Sequence, residues 1–508
     1  MSEPIVTIAQ MQEIEHRIFT AGMPVAALME KVGGLISRRF QQLFPLTSYP
    51  QVGVVFGAGH NGGDALVVAR ELHLCGYQVL LYGPSHQFKA LTAQHHQYLI
   101  HLGIAQVHTI AELQTCGVIL DGLFGFGLDR SLSTALAAII TAINQLNLPI
   151  VSIDLPSGIQ ADTGEILGAA IVARHTFCLG LWKRAFAQES ALAYFGQAEL
   201  LDFDIPLADI QAVLGASPPL QMMTKATADQ YLPYHRSIVT HKYQQGHLLL
   251  VVGSEKYAGA AILAGLGARA SGVGLLSIAV PSSLKLAVLN HLPDAIIISC
   301  PETTKGAISQ LPEMNWSKFT AIAVGCGLTT EPVEIVKLLL AKDLPLILDA
   351  DALNILAQLP ANSWQCRSAP TMITPHGGEW QRLFPDLTDR NNDQIDRITT
   401  VTEKAAQNKL IVLSKGARTI ISDGYETWVI NNGTPALARG GSGDVLTRVL
   451  GGVVAASHSN NEPAHLLKIV ASANWWHAQA GSLAAQNRGV AGVDAFHLNQ
   501  YLTKVIVD

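Results

Sequence analysis

Short apolar runs alternate with amphipathic segments along most of this chain. Before the first run, Ile8, Met11, Ile14 and Ile18 recur at helical spacing, and a similar pattern at residues 28–36 predicts a second helix ahead of the first strand. Strands are then predicted at residues 52–56, 79–82, 118–120 and 150–153, with helical segments that include 65–74 and 132–146. Strands that alternate with helices predict right-handed crossovers and a parallel sheet.

A polar, proline-bearing stretch at about residues 205–241 interrupts this alternation, and we place a domain boundary there. Further strands are predicted at residues 247–252, 274–280, 295–299, 321–324, 345–348, 371–373 and 410–413. Residues 419–421 and 427–430 flank the turn signal S-D-G-Y and predict an antiparallel hairpin. The predicted fold class is α/β, with two doubly wound domains at residues 1–215 and 225–508.

The composition agrees with this organisation. The 508 residues are too many for one ordinary core. The chain is 49% hydrophobic and 14% charged, which is typical of α/β domains whose parallel strands are covered on both faces. Its formal charge of −6 gives no electrostatic footprint for nucleic acid or for an anionic membrane, so we expect neither partner. Local geometry must therefore hold any anionic ligand.

The cysteines and the apolar runs indicate the cellular compartment in which the protein is expected. Six cysteines show no C-x-x-C pair and no zinc-ligand spacing, which predicts free thiols of a reducing compartment rather than disulfides. The first ten residues have neither the basic start nor the apolar core of a signal peptide. No apolar run approaches the length of a membrane-spanning helix. The expectation is a cytoplasmic protein.

A glycine-rich segment, G-A-G-H-N-G-G-D at residues 57–64, joins the first predicted strand to a helix. Its glycines permit a tight turn and leave backbone N–H groups open to an anion at the helix N-terminus. The G-x-G element alone is as typical of a structural turn. The following N-G-G-D adds amide and carboxylate oxygens to the same turn, and the spacing differs from that of the dinucleotide-binding fingerprint.

Two more predicted strand ends carry polar side chains. Asp121 begins the segment D-G-L-F-G-F-G-L, and Asp154 and Ser157 lie in S-I-D-L-P-S-G. Ligands of an open parallel sheet bind beyond the carboxyl ends of its strands, so the three segments are expected to converge. Each acid alone would be typical of a helix cap or a turn. Together they predict a ligand site.

These segments resemble the N-terminal domain of the NAD(P)HX epimerase family, which is Rossmann-like, over residues 5–205. The resemblance implies a potassium ion held by the oxygens of Asn61, Asp121 and Ser157, since hard oxygen ligands suit such a cation. It also implies that Asp154 serves as acid–base at C6 of the hydrated ring. Ala65 replaces a usual Gly, and His60 a usual Asn. The implied substrate contacts are His60, Asn61, Gly62, Gly63, Asp64, Gly125, Phe126, Gly127, Leu128, Asp129, Arg130, Ser131 and Asp154.

A second glycine-rich segment, G-G-S-G-D at residues 440–444, is predicted to precede a helix that starts at Val445. Its flexible backbone donors suit the charge of a transferring phosphoryl group. Asp444 could be an N-terminal helix cap. Its position directly after the glycines favours a general base that deprotonates a substrate hydroxyl.

This element resembles the anion hole and base of ribokinase-like kinases. The segments G-S-E-K-Y-A-G-A-A, G-C-G-L, D-A-D-A-L-N, T-P-H-G-G-E and K-G-A-R-T narrow the resemblance, over residues 225–505, to the ADP/ATP-dependent NAD(P)HX dehydratases. Cys326 stands where that family usually has Pro, and Glu379 is expected to order Mg²⁺ through water. The implied adenine-nucleotide contacts are Lys415, Gly416, Ala417, Arg418, Thr419 and Gly443. The implied contacts to the hydrated dinucleotide are Ala260, Gly327, His376 and Asp444.

The two resemblances imply a bifunctional enzyme, an isomerase and a lyase, that repairs hydrated NADH and NADPH. It would epimerise R and S NAD(P)HX, phosphorylate the C6 hydroxyl of the S form with ADP, and release phosphate, giving NAD(P)H and AMP. Nothing in the sequence decides between ADP and ATP. The alternative is a ribokinase-like small-molecule kinase with a non-catalytic ligand-binding or scaffold domain. The expected partners are NADHX, NADPHX and ADP, and a homo-oligomer is expected.

Overall fold

The strands of this protein belong to two units of the chain. The structure is a computed structural model, and it describes residues 3–85, 87–233, 236–385, 396–459 and 465–505. The first unit is Pro4–Pro218 and the second contains Pro219–Asp508.

The first unit is an open sheet of alternating strands and helices. Its strands are β1 (Glu3–Val6), β2 (Gln51–Phe56), β3 (Gln78–Tyr82), β4 (Ala105–Gln106), β5 (Val118–Gly122), β6 (Ile150–Ile153), β7 (His175–Leu179), β8 (Trp182–Lys183) and β9 (Gln197–Leu201). Its helices are α1 (Ile8–Thr20), α2 (Val25–Leu43), α3 (His60–Leu74), α4 (Ala90–His101), α5 (Thr134–Gln145), α6 (Leu192–Phe195) and α7 (Leu207–Leu214). Short 3-10 helices lie at Ile110–Thr115, Arg184–Ala187 and Glu189–Ala191.

The sheet order is β4-β3-β2-β5-β6-β7-β9, and all its neighbouring strands are parallel. β1 pairs in parallel with β8. Side chains of β2 alternate between the two faces, as expected for a strand. Val54 packs in a core with Ile14 and Ile36 of α1 and α2, whereas Val55 packs with Ile140 of α5. Helices therefore cover both faces of the sheet.

The second unit is also a sheet covered by helices. Its strands are β10 (Leu220–Met222), β11 (His247–Val251), β12 (Leu275–Pro281), β13 (Ile296–Cys300), β14 (Ala321–Val324), β15 (Leu346–Leu348), β16 (Thr371–Ile373), β17 (Ile411–Ser414), β18 (Thr419–Ser422) and β19 (Thr427–Ile430). Its helices are α8 (Lys225–Tyr231), α9 (Ala258–Ala270), α10 (Lys285–His291), α11 (Val333–Leu340), α12 (Asp351–Leu356), α13 (Asn362–Gln365), α14 (Gly377–Leu383), α15 (Arg397–Asn408), α16 (Ser442–Ser459), α17 (Leu466–Arg488) and α18 (Ala495–Val505). Short 3-10 helices lie at Glu255–Tyr257, Ser282–Leu284, Trp316–Lys318, Pro435–Leu437 and Val490–Gly492.

Its strand order is β13-β12-β11-β14-β15-β16-β17-β18-β19-β10. The strands from β13 to β17 are parallel, and β17, β18 and β19 are antiparallel. Leu248 and Leu250 of β11 share a core with α9 and α16, while Leu249 and Val251 are buried on the other face. The α/β fold class with parallel sheets is thus confirmed, as is the antiparallel hairpin.

Several predictions for individual elements were wrong. β1, which was not predicted, precedes the two N-terminal helices, and the stretch predicted to interrupt the alternation of strands and helices contains α7, β10 and α8. α3 begins at His60, five residues before the predicted start at 65, and α16 begins at Ser442 rather than Val445. Glycine disfavours helices, but close packing selects it in the first turn of α3. A Cβ at Gly62 would lie 2.0 Å from the carbonyl oxygen of Gly57.

Two further predictions concern cysteines and membranes. All six cysteines are free, as predicted. In the part of the chain that the structure describes, no single helix is long and apolar enough to cross a membrane. α1 and α2 pass such a test only as a pair bent by 120°, and their residues Met11, Ile14, Val32 and Ile36 are buried in the core.

The packing of Gly62 predicts a local stability effect. Gly62→Ala should lower the free energy of unfolding by about 1–3 kcal/mol, because the added Cβ meets backbone that has no room to move. Gly59→Ser is the matched control: nothing lies within 4 Å of its Cβ position, and serine is a good residue before a helix. Chemical denaturation measures both variants. Equal stability of Gly62→Ala and the wild type would contradict this packing.

Candidate active sites

A cavity of about 870 Å³ lies at the carboxyl ends of the central strands of the first unit. Residues that follow β2, β5 and β6 line it, and so do residues of α1 and α2. The predicted residues His60, Asn61, Asp64, 125–131 and Asp154 are among its walls. Three strand ends therefore meet at one cavity.

Asp154 is the first residue after β6 and is held in a strained backbone conformation. Its φ is +66°, in the left-handed region that a residue with a side chain rarely adopts. Oδ1 lies 2.6 Å from Nζ of Lys183, and Oδ2 accepts the backbone N–H of Phe126 at 2.9 Å. Both members of the ion pair are buried. Burial lowers the pKa of Lys183, but Asp154 raises it above its ordinary value, so Lys183 stays charged.

Asp121, at the end of β5, is fully buried among hydrogen-bond donors. Oδ1 accepts from the Ser157 hydroxyl at 2.6 Å and from the Leu123 N–H at 3.2 Å. Oδ2 accepts from the Ser152 hydroxyl at 2.8 Å and from the Ser157 N–H at 3.0 Å. Burial raises the pKa of Asp121, and these donors partly oppose that shift. The structure thus brings Asp121 and Ser157 together. Neither of the two residues lines the cavity itself.

Asn61 lies in the first turn of α3 and faces Asp154 across Gly125. A Cβ at Gly125 would lie 3.1 Å from Oδ2 of Asp154 and 3.2 Å from Oδ1 of Asn61, so a side chain there would crowd both groups. Gly62 and Gly63 do not line the cavity. Gly62 packs on Gly57, and a Cβ at Gly63 would lie 2.6 Å from Met29.

The second site centres on Asp349, which follows β15 and is buried. Oδ1 lies 2.6 Å from Nζ of Lys415 and accepts the Thr374 hydroxyl at 2.8 Å. Oδ2 accepts the Thr447 hydroxyl at 2.5 Å. Burial raises the pKa of Asp349, but Lys415 and the two hydroxyls outweigh it and bring the pKa to about 2. Asp349 is therefore a permanent carboxylate.

Asp444 lies in the first turn of α16, next to Asp349. One ligand atom each of Cys326, Asp349 and Asp444 lies within 4.8 Å of the others. Burial raises the pKa of Asp444, and the neighbouring Cys326 thiol lowers it. The thiol itself donates to Oδ2 of Asp349, 3.6 Å away. Asp444 is within the helix rather than at its cap, which leaves the carboxyl group free to act as a base.

The glycine turn before α16 is held by its neighbours. The Ser442 hydroxyl donates to the carbonyl oxygens of Leu437, at 2.6 Å, and Arg439, at 3.0 Å. Nε2 of the buried His477 lies 3.0 Å from the Ser442 carbonyl oxygen. A Cβ at Gly443 would lie 3.5 Å from Nζ of Lys415, so two of the predicted nucleotide contacts adjoin each other.

The other predicted contacts surround this centre. A Cβ at Gly327 would lie 2.8 Å from the Cβ of Ala260, and Gly327 follows Cys326 directly. The exposed His376 directly precedes α14, and its backbone N–H donates to Oε2 of the buried Glu379 at 2.9 Å. The backbone N–H of Lys415 donates to the carbonyl oxygen of Pro375, the residue before His376, at 3.0 Å.

Residues 415–418 form the turn from β17 to β18, and Thr419 is the first residue of β18. The Arg397 guanidinium donates to the carbonyl oxygens of Ser414, Lys415 and Arg418, at 2.8, 2.7 and 3.0 Å. Sequence analysis missed Arg397, because a side chain that binds backbone oxygens far along the chain belongs to no motif.

Sequence analysis also missed Lys183 and Arg448. Arg448 lies one turn after Asp444 and is fully buried, and its three guanidinium nitrogens have no hydrogen-bond partner in the described part of the chain. Both residues are cations inside apolar stretches, L-G-L-W-K and V-L-T-R-V-L. That placement was the available signal, because a buried charge is rare without a partner.

Two α/β units, each with a buried carboxylate site at its strand ends, define a two-domain enzyme. The family model for NAD(P)H-hydrate dehydratase matches residues 248–504, and that for the YjeF-related protein N-terminus matches residues 25–185. The bifunctional NAD(P)H-hydrate repair enzyme Nnr of Synechocystis is 52% identical over 98% of this chain and 94% of its own length. That of Thermosynechococcus vestitus is 49% identical over 96% and 94%.

A crystal structure of the ADP/ATP-dependent NAD(P)H-hydrate dehydratase from Bacillus subtilis, co-crystallised with ATP and Mg²⁺, is 30% identical. It covers 56% of this chain and 96% of its own, with a TM-score of 0.46. On the strength of the full-length relatives, the chain belongs to the family of bifunctional NAD(P)H-hydrate repair enzymes. The family identified from the sequence motifs is thus confirmed.

The Asp154–Lys183 pair predicts a large stability effect. Lys183→Met should lower the free energy of unfolding by about 3–5 kcal/mol, because it leaves the Asp154 carboxylate buried without its cation. Lys89→Met is the control, since Lys89 borders the same cavity but is exposed. Urea denaturation measures both. The double variant Lys183→Met with Asp154→Leu should regain part of the loss, and failure to do so would contradict the pairing.

Proposed function

We propose that this chain repairs hydrated NADH and NADPH at two sites. Residues 1–215 interconvert the R and S forms of NAD(P)HX, and residues 225–508 dehydrate the S form with ADP, giving NAD(P)H, AMP and phosphate. The observation that carries the proposal is the placement of Asp444 beside Asp349, Lys415 and the glycine turn. A base, a cation and open backbone donors meet there, as phosphoryl transfer to a hydroxyl requires.

The chemistry of the second site follows from these groups. Asp444 takes the proton of the C6 hydroxyl, and the oxygen attacks the terminal phosphorus of ADP, so that AMP leaves. Lys415 and the N–H groups of Gly440, Gly441 and Gly443 stabilise the charge on the phosphoryl oxygens. Phosphate then leaves C6 with its bonding electrons while a neighbouring ring carbon loses a proton. The nucleotide is consumed because phosphate is a good leaving group and hydroxide a poor one.

Two cations fit the residues present. The buried Asp121 carboxylate is surrounded by neutral donors, so a potassium ion at Asn61, Asp121 and Ser157 would neutralise it with hard oxygen ligands. Glu379 is a buried carboxyl group whose pKa is raised by burial, and it would hold Mg²⁺ through water. Mg²⁺ would supply positive charge to the phosphoryl group.

The six free thiols support a reducing compartment, and we place the enzyme in the cytoplasm. That it is a homo-oligomer stays a prediction, which sedimentation would check.

One assay tests the proposed function. The protein is incubated with both epimers of hydrated NADPH, with and without ADP, and recovered NADPH and released phosphate are measured. Equal amounts of the two products, only with ADP, are expected. Phosphate retained in an organic product would instead indicate a kinase that stops after transfer.

Substitution of Asp444 should impair dehydration alone. Asp444→Asn cannot accept the proton, so the rate of dehydration should fall by about 10²-fold or more while nucleotide binding changes little.

Substitution of Asp154 should impair epimerisation alone. Asp154→Asn should leave the fast phase of repair intact, and the reaction should stall once the S epimer is exhausted. NADPH recovery over time measures both. Complete repair by Asp154→Asn at the wild-type rate would show that epimerisation does not depend on this carboxylate.

The cation site makes its own prediction. Asp121→Ala should weaken potassium binding and lower the rate of epimerisation, because the carboxylate supplies the only full negative charge of the proposed ligand set. Dehydration of the S epimer should not change. The rates are compared in potassium-containing and potassium-free buffer. Equal wild-type epimerisation in the two buffers would contradict the site.

A further inference from the structure

The cavity of the first unit holds more carboxyl groups than the proposed chemistry uses. Glu15, Asp64 and Asp154 all line it, together with Lys183. Nζ of Lys183 lies 2.6 Å from Oδ1 of Asp154. Because the positive charge of Lys183 is used in this ion pair, it does not also neutralise Glu15 or Asp64.

Glu15 belongs to the cavity rather than to the surface. The helix α1 buries Met11, Ile14 and Ile18 in the core, and Glu15 faces the cavity beside this apolar stripe. Two residues away, Glu13 is exposed to solvent. Among the residues that the structure describes, no hydrogen bond or ion pair engages the Glu15 carboxyl group, which interacts only through space with Lys183 and Asp154.

The surroundings of Glu15 and Asp154 differ. Asp154 is paired with Lys183 and accepts the Phe126 N–H. Met11, Phe19 and other apolar side chains line the cavity near Glu15. Burial raises the pKa of Glu15 to about 7; Lys183 lowers it and Asp154 raises it. The cavity therefore holds an ion-paired carboxyl group and an unpaired, partly buried one, and they come from different elements.

We infer that Glu15 is the second catalytic acid–base group of the epimerase cavity and works together with Asp154. The inference rests on the proposed epimerase function and deepens it, because an epimerisation at a carbon bonded to both a hydroxyl and a nitrogen needs two proton transfers. Lys183, 2.6 Å from Oδ1 of Asp154, is the positioning residue that holds this carboxyl group in place.

The step balances without an oxidant or a co-reactant. The C6 hydroxyl gives its proton to Asp154, a C6=O bond forms, and the C6–N1 bond breaks with its electron pair going to N1. Glu15 gives N1 a proton. Rotation about the bond between C5 and C6 presents the other face of the aldehyde. N1 then attacks C6, its proton returns to Glu15, and Asp154 returns a proton to the oxygen, so that the enzyme ends as it began.

The test compares Glu15→Gln with Glu13→Gln in the full chain. Interconversion of the separated R epimer is followed by chromatography without ADP, and dehydration of the S epimer with ADP reports the integrity of the second unit. Urea denaturation reports the folding of the first unit. Glu15→Gln should lower the epimerisation rate by about 10²-fold or more and leave dehydration unchanged. Glu13→Gln should change neither rate. A Glu15→Gln rate within about threefold of the wild type would overturn the inference.

A pH profile separates an acid from a structural residue. The wild-type kcat/KM for epimerisation should fall as pH rises through about 7, because the protonated form of Glu15 is the active one. Glu15→Asp should keep such a limb, and the residual activity of Glu15→Gln should lack it. The other charged or titratable groups that line the cavity are His60, Asp64, Lys89, Asp129, Arg130, Asp154 and Lys183.

The outcomes distinguish this inference from the proposed function. His60 does not explain a limb at pH 7, because burial and Lys89 lower its pKa below the ordinary value of 6.5. A limb that survives in Glu15→Gln would assign the acid to Asp64, whose pKa burial also raises, and would overturn the role of Glu15 alone. A wild-type protein that fails to interconvert the epimers would overturn both proposals.

Discussion

In each unit a carboxylate is buried at the end of a strand, and a lysine neutralises it. Asp154 and Lys183 are 2.6 Å apart, and so are Asp349 and Lys415. Removing two charges from water costs several kcal/mol per ion, which their attraction offsets only when hydrogen bonds satisfy the remaining lone pairs. The N–H of Phe126 meets this condition in the first unit, and hydroxyl groups meet it in the second. The site geometry depends on these two pairs.

The fixed carboxylates also set the proton affinity of their neighbours. Asp154 raises the pKa of Glu15, and Asp349 raises that of Asp444, in each case adding to the larger effect of burial. Each site therefore combines one acid that is paired with a lysine and one acid whose pKa is raised. Such a difference in surroundings is how neighbouring acids acquire separate roles in proton transfer. The same arrangement occurs at both proposed sites.

Sequence patterns predicted the parts of this protein that are local. Buried parallel strands are apolar runs, so β6, β14 and β16 were predicted at their observed bounds. The glycine motif at residues 57–64 directly follows such an apolar run, so it located the end of β2. The start of α3 was wrong because the packing of Gly62 against Gly57 outweighs helix propensity. Lys183 lies 29 positions beyond Asp154, and a contact made by folding at that separation leaves no periodic signal.

Cys326 and Arg448 both act on the pKa of Asp444, the proposed base of the second site. Burial holds the pKa of the Cys326 thiol well above its usual range, so it stays protonated, and it donates to Oδ2 of Asp349, 3.6 Å away. The thiol and the charge of Arg448 both lower the pKa of Asp444. Burial and Asp349 favour the neutral acid, whereas the thiol, Arg448 and Lys415 favour the carboxylate. Asp444 needs both influences. A base must be ionised to accept the hydroxyl proton, yet its proton affinity must be high enough to draw that proton away.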